Sequence, residues 1–366
     1  MKIAILGTRG IPNYHGGFEQ FAEYFSLFLN KNGIDVYVYC SSIHPFKDDT
    51  FKNVKRIVCK DFEHIVGTPG QFLYDLNCIM DSRKRNFDVI LQLGYTSSSI
   101  WSFLFPKNSI IITNMDGLEW KRTKYNPLVQ KFLKFAEKLA VKHSDYLISD
   151  SIGIQEFLLK KYNKKSKYIA YGATLFTSPD VTKIHPYAKI PYTYDLLIAR
   201  MEPENNIETI VKGYLFKKCD RKLLLIGNYN STKFGQYLFE KYSSNDTIVF
   251  LGPIYDMSVL DNLRYYSNLY FHGHSVGGTN PSLLEAMACN CCIVAHDNVF
   301  NKSILNQDAY YFNNEHQLAE CLVLEKKSET ILAKVHNNND KVDNQFDWEV
   351  INSTYLDFIK QCIEKK

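Results

Sequence analysis

The residues best arranged to do chemistry lie between His272 and Cys292, in the run HGHSVGGTNPSLLEAMACNCC. Leu269, Tyr270 and Phe271 read as the end of a buried strand. Gly273, Gly277 and Gly278 then let the backbone turn and approach a ligand closely. Asn280 suits a helix N-cap and Pro281 the first helical position, where a missing N–H costs nothing. Leu283, Leu284, Met287 and Ala288 supply the apolar stripe of the helix that follows. A helix start opened in this way carries free N–H groups and about half a positive charge, so it favours an anion, often a phosphate. Glu285, roughly one turn in, is placed to reach a hydroxyl beyond that anion. An ordinary strand-to-helix turn with a surface glutamate accounts for the same residues, since glycine loops recur at this place in α/β sheets.

Two further loops follow strand-like runs. Lys2–Leu6 is apolar enough for a central parallel strand, and Gly7-Thr-Arg-Gly10, Pro12 and Gly16-Gly17 come after it. The helical spacing of Phe21, Phe25, Phe28 and Leu29 begins only past Gly17, too late for a dinucleotide GxGxxG fingerprint. After the strand at Ser109–Thr113 comes Asn114-Met-Asp-Gly-Leu-Glu-Trp120. Asp116 and Glu119 there are candidates for hydroxyl contacts or general-base work, or else members of a capped turn.

The elements that must position these loops alternate strand and helix. Strands are expected at 36–40, 54–59, 88–93, 109–113, 145–148 and 168–171. A second series is expected at 194–199, 223–226, 247–251, 269–271, 293–295 and 310–312. That alternation predicts an α/β fold of two doubly wound parallel sheets. Between them, 174–192 loses its periodicity around Pro179, Pro186 and Pro191, which suits a linker. The domains expected are 1–178, 192–345 and a C-terminal helix from 346–366. Residues 334–345, polar and asparagine-rich, read as a crossing loop.

Composition narrows the class. A chain of 366 residues suits two domains, and 45% hydrophobic with 22% charged residues is globular. A net charge of +4 without a recognition motif does not point to nucleic acid. Nine cysteines include Cys289, Cys291 and Cys292 but no CxxC pair, so they read as reduced thiols of a cytoplasmic protein. No apolar run spans a bilayer. From Trp120 to Lys142, seven lysines and arginines accompany Leu128, Phe132, Phe135 and Leu139, with Glu137 the one acid. Such a segment is either a core helix with a solvated lysine face or a peripheral contact with an anionic membrane.

The sequences GTRGIP…GGFE, NMDGLEWKR, RMEPENN and HSVGGTNPSLLEAM together resemble family 4 retaining glycosyltransferases of the GT-B fold, over nearly the whole chain. They are similar in particular to the bacterial β-1,4-rhamnosyltransferases of polysaccharide assembly. The resemblance implies a nucleotide-diphosphate sugar, best guess dTDP-L-rhamnose, held by the C-terminal domain. Arg200 would meet the diphosphate. The amides of Gly277, Gly278 and Thr279, with the Asn280 helix start, would hold phosphate and sugar. Glu285 would bind the ribose, and Gly16 and Gly17 would close over the donor. The acceptor would be a lipid-linked saccharide at the inner membrane face. No metal and no separate cofactor are expected. Two departures stand out: Asn205 and Asn206 occupy the place of a family lysine, and Gly277 the place of the first glutamate of a pair ending at Glu285. They motivate an alternative, a non-catalytic GT-B protein that binds nucleotide or glycan as an assembly partner.

Overall fold

The computed structural model describes residues 1–14, 16–115, 117–122, 125–217 and 219–365. The chain divides into two compact units, one of 1–121, 125–171 and 348–366, the other of 122–124 and 172–347. Each is an α/β unit around its own sheet.

The first sheet holds β1 (Lys2–Leu6), β2 (Asp35–Ser41), β3 (Thr50–Phe51), β4 (Val54–Cys59), β5 (Val89–Leu93), β6 (Ile110–Asn114), β7 (Tyr146–Ser149) and β8 (Lys167–Tyr168). Their order is β3-β4-β2-β1-β5-β6-β7-β8. Every pairing is parallel except β3 with β4. The five residues of β5, VILQL, are all buried, as a parallel strand covered on both faces demands. The second sheet holds β9 (Tyr194–Ile198), β10 (Lys222–Ile226), β11 (Ile248–Gly252), β12 (Tyr270–His272), β13 (Ile293–His296) and β14 (Tyr310–Phe312). Its order is β11-β10-β9-β12-β13-β14, all parallel. Both sheets reverse direction beside their first strand, at β1/β5 and at β9/β12. In open α/β sheets that crevice is where ligands bind.

Leu6, Tyr39, Tyr74, Ile90 and Ile111 anchor the core of the first unit. Leu197, Ile210, Leu225, Phe271 and Val294 anchor that of the second. Asp195, fully buried in β9, is matched by Arg221 at 3.0 Å and by the Tyr214 hydroxyl at 2.9 Å. The last helix, Trp348–Glu364, packs on the helix Gly17–Lys31: the Tyr24 and Trp348 rings stack at 4.5 Å and the Phe21 and Tyr355 centroids lie 4.6 Å apart. Asn32 and Gly33, the latter with φ +74°, end the Gly17–Lys31 helix where a left-handed glycine is expected.

Four expectations need correction. The division falls after Tyr171, not within 174–192. The proline-bearing stretch is tied to the second unit by the Phe176 amide on the Ala288 carbonyl (3.1 Å) and the Asp180 amide on Asn262 Oδ1 (2.6 Å). The strand expected at 168–171 stops at Tyr168, and the Tyr171 hydroxyl instead donates to the Gly17 carbonyl at 2.7 Å. Residues 334–345 are not a loop: Glu329–Lys341 is a helix, because Ile331, Val335 and Asn338 form a buried stripe. Asn338 satisfies its amide on the Asp308 carbonyl at 2.7 Å. Finally, the basic helix starts at Pro127, capped by Asn126, and runs to His143. Its inward residues are Leu133, Ala136, Ala140 and Val141, whereas Leu128 and Phe135 face outward.

Candidate functional site

The second switch point assembles the site from two loops. The loop after β9 carries Arg200 and turns through Asn206, which adopts a left-handed φ of 49°. Asn205 Nδ2 donates to the Arg200 carbonyl at 2.7 Å. Asn206 Nδ2 donates to the Gly273 carbonyl at 2.8 Å, in the loop after β12. The loops touch so closely that a Cβ on Gly273 would sit 2.0 Å from the Asn205 carbonyl oxygen. The Ser275 amide and hydroxyl both donate to the Glu204 carbonyl, at 3.0 and 2.8 Å. Asn205 and Asn206 therefore act as stitches between loops.

Beyond this seam lies the glycine run. Gly277 has φ +137°, a conformation that a side chain would strain. Asn280 caps the helix Pro281–Ala288 and accepts from the Ser282 amide at 2.9 Å. The Leu283 and Leu284 amides go to the Asn280 carbonyl at 3.0 and 3.3 Å. Pro281 has no N–H, so the first-turn amides expected to meet an anion are already committed. Among the described residues, the amides of Gly277 and Gly278 meet no protein acceptor. The donor groups of the site are thus the loop amides, with the positive end of the helix behind them. Thr279 is buried beside them at 4% exposure.

Glu285 is less open than its position suggests. Its Oε2 lies 2.5 Å from Arg264 Nη2, and Arg264 is 2% exposed. Arg264 also holds Asp261 at 2.9 Å. Burial pushes the Glu285 carboxyl up from its ordinary value, and the Arg264 charge opposes that shift. One carboxylate oxygen is thus spent on a buried cation.

Arg200 is exposed at the mouth of the seam. Its charge is felt by His274, whose imidazole is held down at about 3, first by burial and then by Arg200 and Arg122. His272 stacks on His274 with centroids 4.5 Å apart, and burial drives it well below its ordinary value. Both rings are neutral at physiological pH. The fold thus builds a dry, uncharged floor beside two guanidiniums, an arrangement suited to a phosphate-bearing ligand.

In the first unit, Gly7, Thr8, Arg9, Glu19, Asp61, Glu63, Gln71 and Asp75 are among the residues lining a cavity of ≈ 380 Å³ at the carboxyl end of β1. Arg9 pairs with Glu63 at 2.7 Å. Glu19 accepts the Arg9 amide at 2.8 Å and so holds the first loop. Burial raises the Asp75 carboxyl to about 7. Gly16, at the start of the helix Gly17–Lys31, has extended backbone, and an added Cβ would meet only Glu19 Oε2 at 3.7 Å. Glu119 sits in the short turn Glu119–Lys121; Asp116 lies outside the described residues.

Sequence reasoning missed Arg264, His274 and Arg122. The two histidines flank Gly273 and offered a signal. Arg264 offered none, since nothing in an amphipathic helix marks an arginine as buried. The cysteines 289, 291 and 292 are free, buried thiols. No group of three or more His, Cys, Asp or Glu among the described residues is arranged to hold a metal ion.

Residues 192–333 match the family model of glycosyl transferases group 1. Residues 1–174 match that of a domain of unknown function, DUF1972. An uncharacterized glycosyltransferase of Methanocaldococcus jannaschii is 24% identical over 320 residues, which are 81% of this chain and 80% of that protein. Sucrose-phosphate synthase of Thermosynechococcus elongatus shares the fold at a TM-score of 0.76, with 17% identity over 100% of both chains. Anabaena HepE, solved with UDP and glucose, shares it at a TM-score of 0.75, with 16% identity over 98% of this chain and 99% of that one.

Proposed function

We propose that this chain, whose residues 192–333 match the family model of glycosyl transferases group 1, moves a sugar from a nucleoside-diphosphate donor to a saccharide acceptor. The observation that carries the reading is the seam at β9/β12. Arg200, the Gly277 and Gly278 amides and the positive end of Pro281–Ala288 converge there beside a neutral His274. Departure of the donor's sugar leaves charge on the diphosphate, and fixed donors aimed at that charge stabilise the transition state. The Arg200 fork suits phosphate oxygens, and the remaining oxygen of Glu285 suits a ribose hydroxyl.

The finer reading is a retaining transfer by front-face attack, without a metal, in which Asp116 or Glu119 assists the acceptor hydroxyl. dTDP-L-rhamnose is the first donor to try, and UDP-glucose the second, since HepE has been solved with UDP-glucose. The carboxylate-lined cavity of the first unit suits a hydroxyl-rich acceptor. We further propose a lipid-linked acceptor in polysaccharide assembly, reached from the cytoplasmic face of a membrane. The face of Pro127–His143 that carries Leu128, Lys131, Phe135, Lys138 and Lys142 supports that surface contact. No helix among the described residues is long and apolar enough to cross a membrane.

A thermal-shift screen of nucleotide sugars, followed by calorimetry, tests the donor reading. Ligand binding to the folded state alone raises its stability. Arg200→Ala should keep the melting temperature and lose most binding and transfer. An unchanged affinity would remove Arg200 from the site. One observation favours the binding-only alternative: Asn205, Asn206 and Glu285 are all engaged in holding the fold. Tight nucleoside-diphosphate binding without turnover on any donor and acceptor would select it.

A further inference from the structure

We propose that the cavity at the carboxyl end of β1 takes a saccharide bearing a protonated amine, and that the free oxygen of Asp75 meets the ammonium. This deepens the acceptor reading of that cavity and rests on it. The space measures ≈ 380 Å³, within the range of small-molecule sites, about 300 Å³ upward. Asp75, on the helix Pro69–Ser82, lines it and is 6% exposed. Its Oδ2 takes the Ser97 hydroxyl at 2.5 Å. Its Oδ1 has no protein partner among the described residues and is not shut off from the cavity. Gln71 lies one turn earlier on the same helix face and lines the same space. Its side-chain amide is likewise unpartnered among the described residues. A buried carboxylate oxygen and an amide are thus offered to a ligand from one helix, with the Phe18 ring as an apolar wall.

Charge decides the class of ligand. The lining residues include four carboxylates, Glu19, Asp61, Glu63 and Asp75, and one guanidinium, Arg9. Arg9 is taken by Glu63 at 2.7 Å. Glu19 accepts from the Thr8 hydroxyl at 3.3 Å and the Arg9 amide at 2.8 Å. Asp61 accepts from the Ser41 hydroxyl at 2.6 Å and the Glu63 amide at 2.8 Å. Glu19, Asp61 and Asp75 therefore have neutral donors but no paired cation. Among the described residues no three such groups are arranged to hold a metal ion. A ligand that brings an ammonium for Asp75 and hydroxyls for Gln71 supplies what the walls lack. The cavity's own state agrees. Burial lifts the Asp75 carboxyl to about 7; Ser97 and Arg9 oppose the shift and Asp61 adds to it. Tyr74 and Cys78, on its own helix, are driven up by burial and stay neutral. An ammonium against Oδ1 favours the ionised form, so its binding should expel the proton that Asp75 holds below pH 7.

The test is calorimetry of the full chain with glucosamine, glucose and N-acetylglucosamine at pH 6, in two buffers of different ionisation enthalpy. Wild type should bind glucosamine about ten-fold more tightly than glucose, the scale of a charged hydrogen bond, and release protons as it does so. N-acetylglucosamine, which keeps the nitrogen without its charge, should bind as glucose does and release none. Asp75→Asn should keep glucose binding and lose both the preference and the proton release. Gln71→Leu should weaken glucose and glucosamine alike, about three-fold, and keep the preference. Equal binding of the three sugars by wild type, no binding of any, or a preference that survives in Asp75→Asn would overturn the inference. UDP and dTDP titrations of the same proteins separate it from the transferase reading. Nucleotide binding without the glucosamine preference sinks only this inference. The preference without binding of either nucleotide upholds the cavity and sinks the transferase reading.

Discussion

Glu285 serves two masters, and its substitution has two consequences. Removing its carboxylate leaves the Arg264 charge, 2% exposed, with Asp261 alone. Breaking a buried ion pair by deleting one partner costs about 3 kcal/mol or more. Glu285→Ala should therefore lower the urea midpoint and weaken donor binding together. Replacing both members, as Arg264→Met with Glu285→Leu, should recover most of the stability, because an apolar pair of similar volume avoids the desolvation cost. It should not recover binding; if it did, Glu285 would have no part in holding the ligand. Asp75 gives a pH signature. Burial raises its carboxyl from 3.8 to about 7, Asp61 adds to the shift, and Ser97 and Arg9 oppose it. Between those values the folded protein keeps a proton that the unfolded chain releases, so stability falls as pH rises and levels off above 7. About three units correspond to a loss on the order of 4 kcal/mol. The melting temperature of Asp75→Asn relative to wild type should rise as pH goes from 5 to 7, on top of the rise that His272 and His274, held neutral in the fold, give both proteins. Parallel profiles would show Asp75 ionised throughout.

The helix Pro127–His143 turns the sequence's basic run into a surface. Glu137, the one acid, is 1% exposed and accepts from Trp120 Nε1 at 2.9 Å, Lys161 at 2.8 Å and Tyr162 at 2.6 Å. The outward stripe is then purely basic and apolar, with Leu128 75% and Phe135 54% exposed. Each lysine near an anionic bilayer contributes roughly 1 kcal/mol. Reversing Lys131 and Lys138 to Glu should abolish flotation with anionic vesicles and leave the fold intact; flotation at the wild-type level would reject the membrane face. This helix also shows what was legible beforehand. Strands such as Val89–Leu93 and Ile110–Asn114 stand within a residue of their apolar runs, because a parallel strand buried on both faces writes itself as a hydrophobic block. The glycine loop, its Asn280 cap and Pro281 were equally plain, each being a local device. Which face of Pro127–His143 points inward was left open by the sequence, and tertiary contacts chose Leu133, Ala136, Ala140 and Val141 rather than the larger Leu128 and Phe135. Glu329–Lys341 was hidden by asparagines whose low helix propensity is outweighed by hydrogen bonds to distant carbonyls. Arg264 and Arg122 were invisible for the same reason: their partners are far away in sequence.

Each sheet carries its own core, and the chain's last helix belongs to the core of the first. Trp348, Ile351, Tyr355, Leu356, Ile359 and Cys362 are buried along Trp348–Glu364. Burial of a large side chain contributes roughly 1.5–3 kcal/mol, so losing this face amounts to as much as a typical domain's whole stability. The Tyr355 hydroxyl is also the acceptor for Asn114 Nδ2, at 3.1 Å, on β6. The second unit draws nothing of its core from these residues; Leu197, Leu225 and Phe271 pack among themselves with Ile210 and Val294. A chain ending at Asp347 should therefore lose amide protection in β1 and β5 under hydrogen exchange. It should keep protection in β9 and β10, and with it the seam that holds the nucleoside diphosphate. Calorimetry on the truncated chain would then still register the nucleotide while transfer to an acceptor disappears. If protection vanished from both sheets at once, the two units would unfold as a single cooperative body, and the donor half would depend on the C-terminal helix.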